Sequence, residues 1–80
     1  MIRRKKSFTL TELNKGDRAR IIKVGGDRTK RRKIFALGIL PGEVVILEQK
    51  FPVLLLKAGH SNIALDEGVG KNIIVSKENE

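Results

Sequence analysis

The chain has 80 residues, of which 40% are hydrophobic, and a formal net charge of +8. This length allows one domain with one small core, since a chain of this size removes only about 60% of its extended surface from water on folding. The absence of Cys excludes disulfides, thiolate nucleophiles and cysteine-based metal sites. A single His and the lack of Tyr and Trp leave few groups for acid–base or nucleophilic catalysis.

The positive charge is concentrated in the first part of the chain. Residues 1–33 contain 13 Lys and Arg and 3 Asp and Glu, whereas residues 34–80 contain 4 and 6. A basic segment of this kind can bind nucleic acid, an anionic membrane surface or an acidic protein. The longest apolar runs, such as 44–47, have four residues, far fewer than the roughly 18 that a membrane span needs. We therefore expect a soluble, intracellular protein.

Residues 1–7 are mostly cationic and predict a flexible basic tail. Thr9 and Glu12 then have the spacing of a capping box at a helix start, and Leu10 and Leu13 share one face of that turn. Residues 18–24 predict a strand. Alternation breaks at its end, around Ile22, which leaves open either a bulge or burial on both faces.

Residues 29–37 are the best candidate for a helix. Asp27 or Thr29 can cap its start, and Gly38 is placed to take the left-handed conformation that ends a helix. Within it, Ile34 and Leu37 share a face, with Phe35 at its edge and assigned to the core. Residues 40–43, Leu-Pro-Gly-Glu, then predict a type II turn because Pro fixes φ and Gly tolerates positive φ.

The second half predicts strands at 44–49, 53–58, 62–65 and 72–75. Residues 66–70 predict a short turn or one loose helical turn, since two glycines oppose a regular helix, and residues 77–80 predict a polar tail. Together these elements predict a mainly β fold, a small antiparallel β-barrel of about five strands with a short helical insertion. We expect the barrel to be closed or nearly closed, because closure removes exposed strand edges.

Two motifs could indicate a phosphate-binding loop and a metal site, but the surrounding residues do not complete either of them. The Gly-Lys pair at 70–71 would need Gly at 65 and Ser or Thr at 72 to form a phosphate-binding loop, and Leu65 and Asn72 stand there. His60 has two acidic neighbours, Asp66 and Glu67, which is a weak ligand set, so we interpret it as a solvated loop residue. We expect no cofactor and no enzymatic activity.

Two neighbouring features remain as candidates for binding. The first is the basic run 28–33, which is either a solvated face or a contact for an anionic partner. The second is the run 37–42, in which Ile39 and Leu40 are two bulky apolar residues in a short connection. One of the two can turn inward while the other stays exposed as a contact point.

The order of these features resembles the FeoA family, whose members accompany the ferrous iron transporter FeoB. Residues 37–42, LGILPG, closely resemble the family's L-G-[LIM]-x-P-G signature. Residues 9–17, TLTELNKGD, are similar to its L-x-x-L-x-x-G start, and ARI at 19–21 resembles its first strand. IAL at 63–65 and IIV at 73–75 resemble its closing pattern. The resemblance covers about residues 9–75.

The resemblance implies an SH3-like β-barrel over residues 8–76. It also implies a non-enzymatic, cytoplasmic accessory role in ferrous iron uptake through contact with the GTP-hydrolysing membrane transporter FeoB. The same domain type occurs in metal-dependent repressors, so a detached interaction domain of a transcriptional regulator is an alternative. The family often carries a regular helix after I-A-L, which Gly68 and Gly70 interrupt here.

Our first hypothesis is therefore a protein–protein interaction module that presents the helix and the following turn to a FeoB-type partner. Arg31 and Arg32 would attract the partner and Leu40 would anchor it. The full set of expected contact residues is Arg28, Arg31, Arg32, Leu37, Gly38, Ile39, Leu40, Pro41 and Gly42. The alternative is a small basic barrel that binds nucleic acid, and self-association remains open.

Overall fold

The computed structural model describes residues 7–78. The predicted basic tail, apart from Ser7, lies outside these residues, as do residues 79 and 80. The described chain forms six strands, two helices and one 3₁₀ turn. In order they are β1 (Phe8–Thr9), the 3₁₀ turn (Leu10–Glu12), β2 (Arg18–Val24), α1 (Arg28–Ala36), β3 (Val44–Gln49), β4 (Leu54–Ala58), β5 (Ser61–Leu65), α2 (Glu67–Gly70) and β6 (Ile73–Lys77).

All six strands belong to one antiparallel sheet with the order β1-β6-β2-β3-β4-β5. The predicted fold class is confirmed, with one strand more than expected because β1 has only two residues. Among the described residues the ladder is not closed, since β1 and β5 are its edges and do not pair with each other. Of the two alternatives expected, a closed or a nearly closed barrel, full closure is therefore not observed.

Strand β2 contains the irregularity that its sequence pattern indicated. Its pairing with β6 shifts register between Ile21 and Lys23. As a result Ile21 and Val24 are buried whereas Ile22 is half exposed. The bulge, and not burial on both faces, explains the broken alternation.

The core is formed by apolar side chains from every strand except β1, with the 3₁₀ turn and the residues after it. Among residues 7–78 no polar or charged side chain is buried. Helix α1 contributes a single member, Ile34. The buried set is Leu10, Leu13, Ala19, Ile21, Val24, Ile34, Ile39, Val45, Leu47, Leu54, Leu56, Ile63, Leu65, Ile73 and Val75.

The last strand runs further than the sequence pattern predicted. Lys77 ends β6, and its Nζ lies 3.7 Å from Asp17 Oδ2 and 4.7 Å from the centroid of the Phe8 ring. The Glu78 N–H donates to the carbonyl oxygen of Arg18 at 2.8 Å. Lys77 and Glu78 are therefore part of the folded domain and not of the predicted polar tail.

Candidate interaction surface

Helix α1 has one buried side chain. Ile34 is buried, and the other residues of the helix are exposed. Phe35 is 39% exposed and Leu37, which caps the helix, is 47% exposed. The assignment of Phe35 to the core was therefore wrong. The predicted apolar face exists, but only its centre is covered by the sheet.

Asp27, one of the two caps that the sequence allowed, stands directly before the first residue of the helix. Asp27 Oδ1 accepts a hydrogen bond from the Lys30 N–H at 2.8 Å, whereas Thr29 lies inside the helix. A carboxylate at this position satisfies a backbone donor that has no partner within the helix and also interacts favourably with the helix dipole. The cap compensates in part for the cations that crowd the first turn.

We predict that Asp27→Ala lowers the free energy of unfolding by about 0.5–2 kcal/mol, the usual effect of losing a cap. The measurement is urea denaturation followed by circular dichroism. Thr29→Ala is the matched control, because it alters the neighbouring exposed residue and leaves the cap intact, and its effect should stay within about 0.5 kcal/mol. Equal losses of unfolding free energy in the two variants would show that the Asp27 cap does not contribute to stability.

The helix ends in a Schellman motif. Gly38 has φ of 95°, its N–H donates to the Phe35 carbonyl at 2.9 Å, and the Ile39 N–H donates to the Ile34 carbonyl at 3.4 Å. Ile34 and Ile39 are both buried in the core cluster, in keeping with the hydrophobic contact that often accompanies this motif. The prediction that Gly38 ends the helix is confirmed.

The predicted type II turn follows immediately. The Glu43 N–H donates to the Leu40 carbonyl at 3.1 Å, and Gly42 has φ of 94°. Strand β2 fixes the turn in place, since the Gly42 N–H donates to the Ile21 carbonyl at 2.7 Å and Arg20 Nη1 donates to the Gly42 carbonyl at 2.9 Å. The turn is therefore held rigidly against the sheet.

Ile39 points into the core and Leu40 points outward, which is the arrangement that the sequence allowed. Ile39 is fully buried, whereas Leu40 is 43% exposed. Ile39 was among the expected contact residues, and this assignment was wrong because no partner can reach its side chain in the folded domain. Its role is to hold the turn that presents Leu40, which lies beside exposed Pro41.

The expected arginines are exposed but differ in their contacts. Arg31 Nη1 donates to the Gly26 carbonyl at 3.0 Å, so part of its guanidinium group already stabilises the loop before the helix. Arg28 and Arg32 are exposed at the start and middle of α1, and neither makes an ion pair among residues 7–78. Arg28 and Arg32 are thus better placed than Arg31 to meet an anionic partner.

Two grooves flank Leu37, and neither was predicted from the sequence. One has a volume of about 330 Å³ and is lined on the α1 side by Lys30, Lys33 and Ile34, and on the other side by residues of 66–72 such as Val69. The second has a volume of about 210 Å³ and lies between Leu37 and the β4–β5 hairpin. The spacing of 30, 33, 34 and 37 is typical of one helix face and could have indicated that this face meets another element.

His60 does not stand in a cluster of ligands. It is exposed in the turn between β4 and β5, and among residues 7–78 no three His, Cys, Asp or Glu side chains come together as a metal site would require. Residues 7–78 therefore do not assemble the ligand set that a zinc or iron ion needs. None of the helices described is long and apolar enough to cross a membrane.

The fold and surface together define a small SH3-like β domain with a basic helix inserted between its second and third strands. The model of the FeoA domain matches residues 8–77, and the chain belongs to the FeoA family. No curated protein matches the sequence.

Solved structures agree with this assignment. A FeoA-like protein from Clostridium acetobutylicum is 25% identical, with a TM-score of 0.84 over 96% of this chain and 93% of that one. FeoA from Stenotrophomonas maltophilia, solved with zinc, is 29% identical, with a TM-score of 0.75 over 90% of this chain and 96% of that one. That protein is described as a procaryotic SH3 domain protein and a candidate ferrous iron transport activating factor.

A third structure shows where else this fold occurs. T. acidophilum IdeR matches with a TM-score of 0.85 over 98% of this chain, but over only 37% of its own chain. At 15% identity this likeness shows the fold alone. The same architecture can thus stand as a small protein or as one part of a longer one.

Proposed function

We propose that this protein is a non-enzymatic accessory protein of ferrous iron uptake that binds the cytoplasmic part of a FeoB-type membrane transporter. Membership of the FeoA family supports the link to ferrous iron transport, as does the description of the Stenotrophomonas relative. The chemistry that supports a contact role is an exposed apolar side chain, Leu40, close in sequence to the exposed cations of α1.

The observation that carries this proposal is the exposure of Leu40 on a rigid turn beside the basic helix. Leu40 and Leu37 are 43% and 47% exposed, although the backbone around them is fixed by hydrogen bonds on both sides of the turn. An apolar side chain on a rigid support loses little conformational entropy on binding, which favours its use as an anchor. Gly38, Pro41 and Gly42 set the shape of this support.

The cations of α1 provide the second element of the surface. Arg28 and Arg32 are exposed and unpaired among the described residues, and α1 contains no acidic side chain. Exposed charges of one sign accelerate association with an acidic surface and lose this effect as salt screens them. We therefore expect a complex whose association rate falls as ionic strength rises.

The decisive variant is Leu40→Glu, titrated into the soluble cytoplasmic part of a FeoB-type transporter and followed by calorimetry. We expect affinity to fall at least tenfold, because burying an unpaired carboxylate is costly. Phe51→Glu is the matched control: Phe51 is also exposed, at 76%, but lies in the β3–β4 connection, outside the proposed surface. Absence of binding by the wild-type protein would contradict the proposed function, and equal weakening by both variants would contradict the surface.

Nucleic-acid binding is the second candidate, and the exposure of Phe35 is the observation that favours it. A base can stack on an exposed aromatic ring beside cations, and Phe35 lies between the basic run of α1 and exposed Leu37. This candidate predicts a mobility shift with single-stranded RNA at about 50 mM salt that disappears steeply as salt is added. Retention of transporter binding without any such shift would exclude it.

A further inference from the structure

Leu37, at the end of helix α1, lines both grooves described above. The second groove is also lined by Ser61 and Ile63 of β5, whereas the first is lined by Asp66 and Val69, which follow β5 in the chain. The two grooves therefore share Leu37, one beside the start of β5 and the other beyond its end. A ligand lying across both would touch the helix end and the strand together.

Strand β5 is an edge strand whose outward backbone groups can be identified. Gly59 and His60 form a two-residue turn between paired Ala58 and Ser61, and Gly59 has φ of 61°. In such a hairpin the closing pair exchanges both hydrogen bonds, and bonded pairs then alternate along the ladder. The N–H and C=O groups of Asn62 and Ala64 consequently point away from β4.

This edge lacks the features that usually protect a sheet against further pairing. Residues 61–65 contain no charged side chain and no Pro, and the pairing of β5 with β4 has no register shift. Natural edge strands are usually blocked by Lys, Pro, a bulge or a covering segment. The opposite edge, β1, has two residues and offers little to pair with, so β5 is the better template.

We propose that the β5 edge and the adjoining groove bind an extended segment of a partner protein, which adds to the sheet as a further antiparallel strand. Alternate side chains of that segment would enter the groove against Ile34, Leu37 and Val69, while its backbone would pair with Asn62 and Ala64. Main-chain hydrogen bonds supply affinity in this mode, and the side-chain pockets supply specificity. The inference deepens the proposed function by giving the form of the partner's segment.

Charge favours an acidic segment over a second copy of this chain. Lys30 and Lys33 lie on the α1 side of the groove that reaches the end of β5, and Asp66, the acid opposite them, already accepts the Val69 N–H at 2.8 Å. Two copies with a formal net charge of +8 each would repel one another. In an antiparallel arrangement the N-terminal end of the segment lies near the two lysines, so its acidic residues belong there.

The first test uses a synthetic peptide and needs no transporter. The probe is acetylated Glu-Glu-Val-Thr-Val-Thr-Val, titrated into ¹⁵N-labelled protein and observed by NMR. We expect shifts in the amides of residues 61–65 and Leu37, and protection of the Asn62 and Ala64 amides from hydrogen exchange. A peptide methylated at alternate backbone nitrogens should bind at least tenfold more weakly, as should one with Lys in place of Glu. Equal binding by the methylated peptide, or no shift in β5 with any peptide, overturns the inference.

The second test uses Ala64→Pro, which removes one outward N–H group without removing a bond to β4. Proline is tolerated at such edge positions, and a matching ¹⁵N spectrum outside β5 will show that the fold is retained. We expect Ala64→Pro to lower peptide affinity at least tenfold. Ala64→Thr keeps the N–H group and should bind the peptide about as tightly as the wild-type protein does. Equal affinity of the Pro and Thr variants overturns the inference.

The transporter titration separates this inference from the proposed function. Wild-type binding to the transporter that is unchanged in Ala64→Pro would leave the proposed function standing and overturn the strand pairing. Peptide binding without transporter binding would support the pairing and contradict the proposed function. Sedimentation of the protein alone tests whether a second copy of the chain occupies the β5 edge. A dimer that Ala64→Pro abolishes would assign the edge to that second copy and overturn the inference.

Discussion

Ile39→Ala is expected to lower the free energy of unfolding by about 2–5 kcal/mol, the usual range for truncating a buried aliphatic side chain. Leu40→Ala, one residue further, should change it by no more than about 0.5 kcal/mol. The difference follows from burial, since Ile39 is fully buried and Leu40 is 43% exposed. The two variants therefore form a matched pair, because each removes an aliphatic side chain of the same size and only the burial of that side chain differs.

The large effect at Ile39 has a local cause besides its burial. Its N–H donates to the Ile34 carbonyl, and the two side chains belong to the same core cluster. Ile34 is the only residue through which α1 enters the core, so a cavity at Ile39 removes packing where the helix is least supported. We expect the loss to affect both the helix end and the turn.

The measurement is urea denaturation followed by far-ultraviolet circular dichroism, since the chain has no Trp or Tyr to report by fluorescence. The transition midpoint should shift strongly for Ile39→Ala with an unchanged slope, which identifies a change in stability and not in the compactness of either state. Similar midpoints for the two variants would contradict the burial of Ile39, because the two side chains would then contribute equally to stability. Leu40→Ala should at the same time weaken binding to the transporter.

The turn and the helix end could be predicted from the sequence because local backbone chemistry determines both. Pro41 and Gly42 fix a type II turn through their own φ preferences, and Gly38 supplies the left-handed conformation that closes α1. These preferences need no distant partner. The same holds for the cap at Asp27, where the sequence left two alternatives and the structure selected the residue just before the helix.

The exposure of Phe35 and the two grooves could not be predicted, because both depend on how much of a helix face a distant element covers. Periodicity places Ile34 and Leu37 on one face, but it does not show that only Ile34 reaches the core. Likewise β1 is too short to leave a pattern, and the extension of β6 through Lys77 follows from its pairing with β2. Closure of the sheet depends on two segments far apart in sequence, and no local signal reports it.

The glycines of α2 show the same distinction between a local rule and a packed environment. By helix propensity alone, Gly68 and Gly70 are alike, because both weaken a helix. A Cβ on Gly70 would overlap Leu54 Cδ1 and lie 3.2 Å from Thr11 Cγ2. On Gly68 the nearest atom would be Asp66 Oδ1 at 3.4 Å, an ordinary contact. Gly70 is thus required for close packing of α2, whereas Gly68 is not.

We predict that Gly70→Ala lowers the free energy of unfolding by about 1–3 kcal/mol, the usual cost of overpacking, because Leu54 is buried and cannot move aside freely. Gly68→Ala, two residues earlier in the same helical turn, should be neutral or stabilise by up to about 1 kcal/mol, since it restricts the unfolded chain. Urea denaturation of both variants measures the difference. Equal stability would show that α2 can shift away from β4, and the β5 edge that precedes α2 would then be less firmly held than the proposed strand pairing requires.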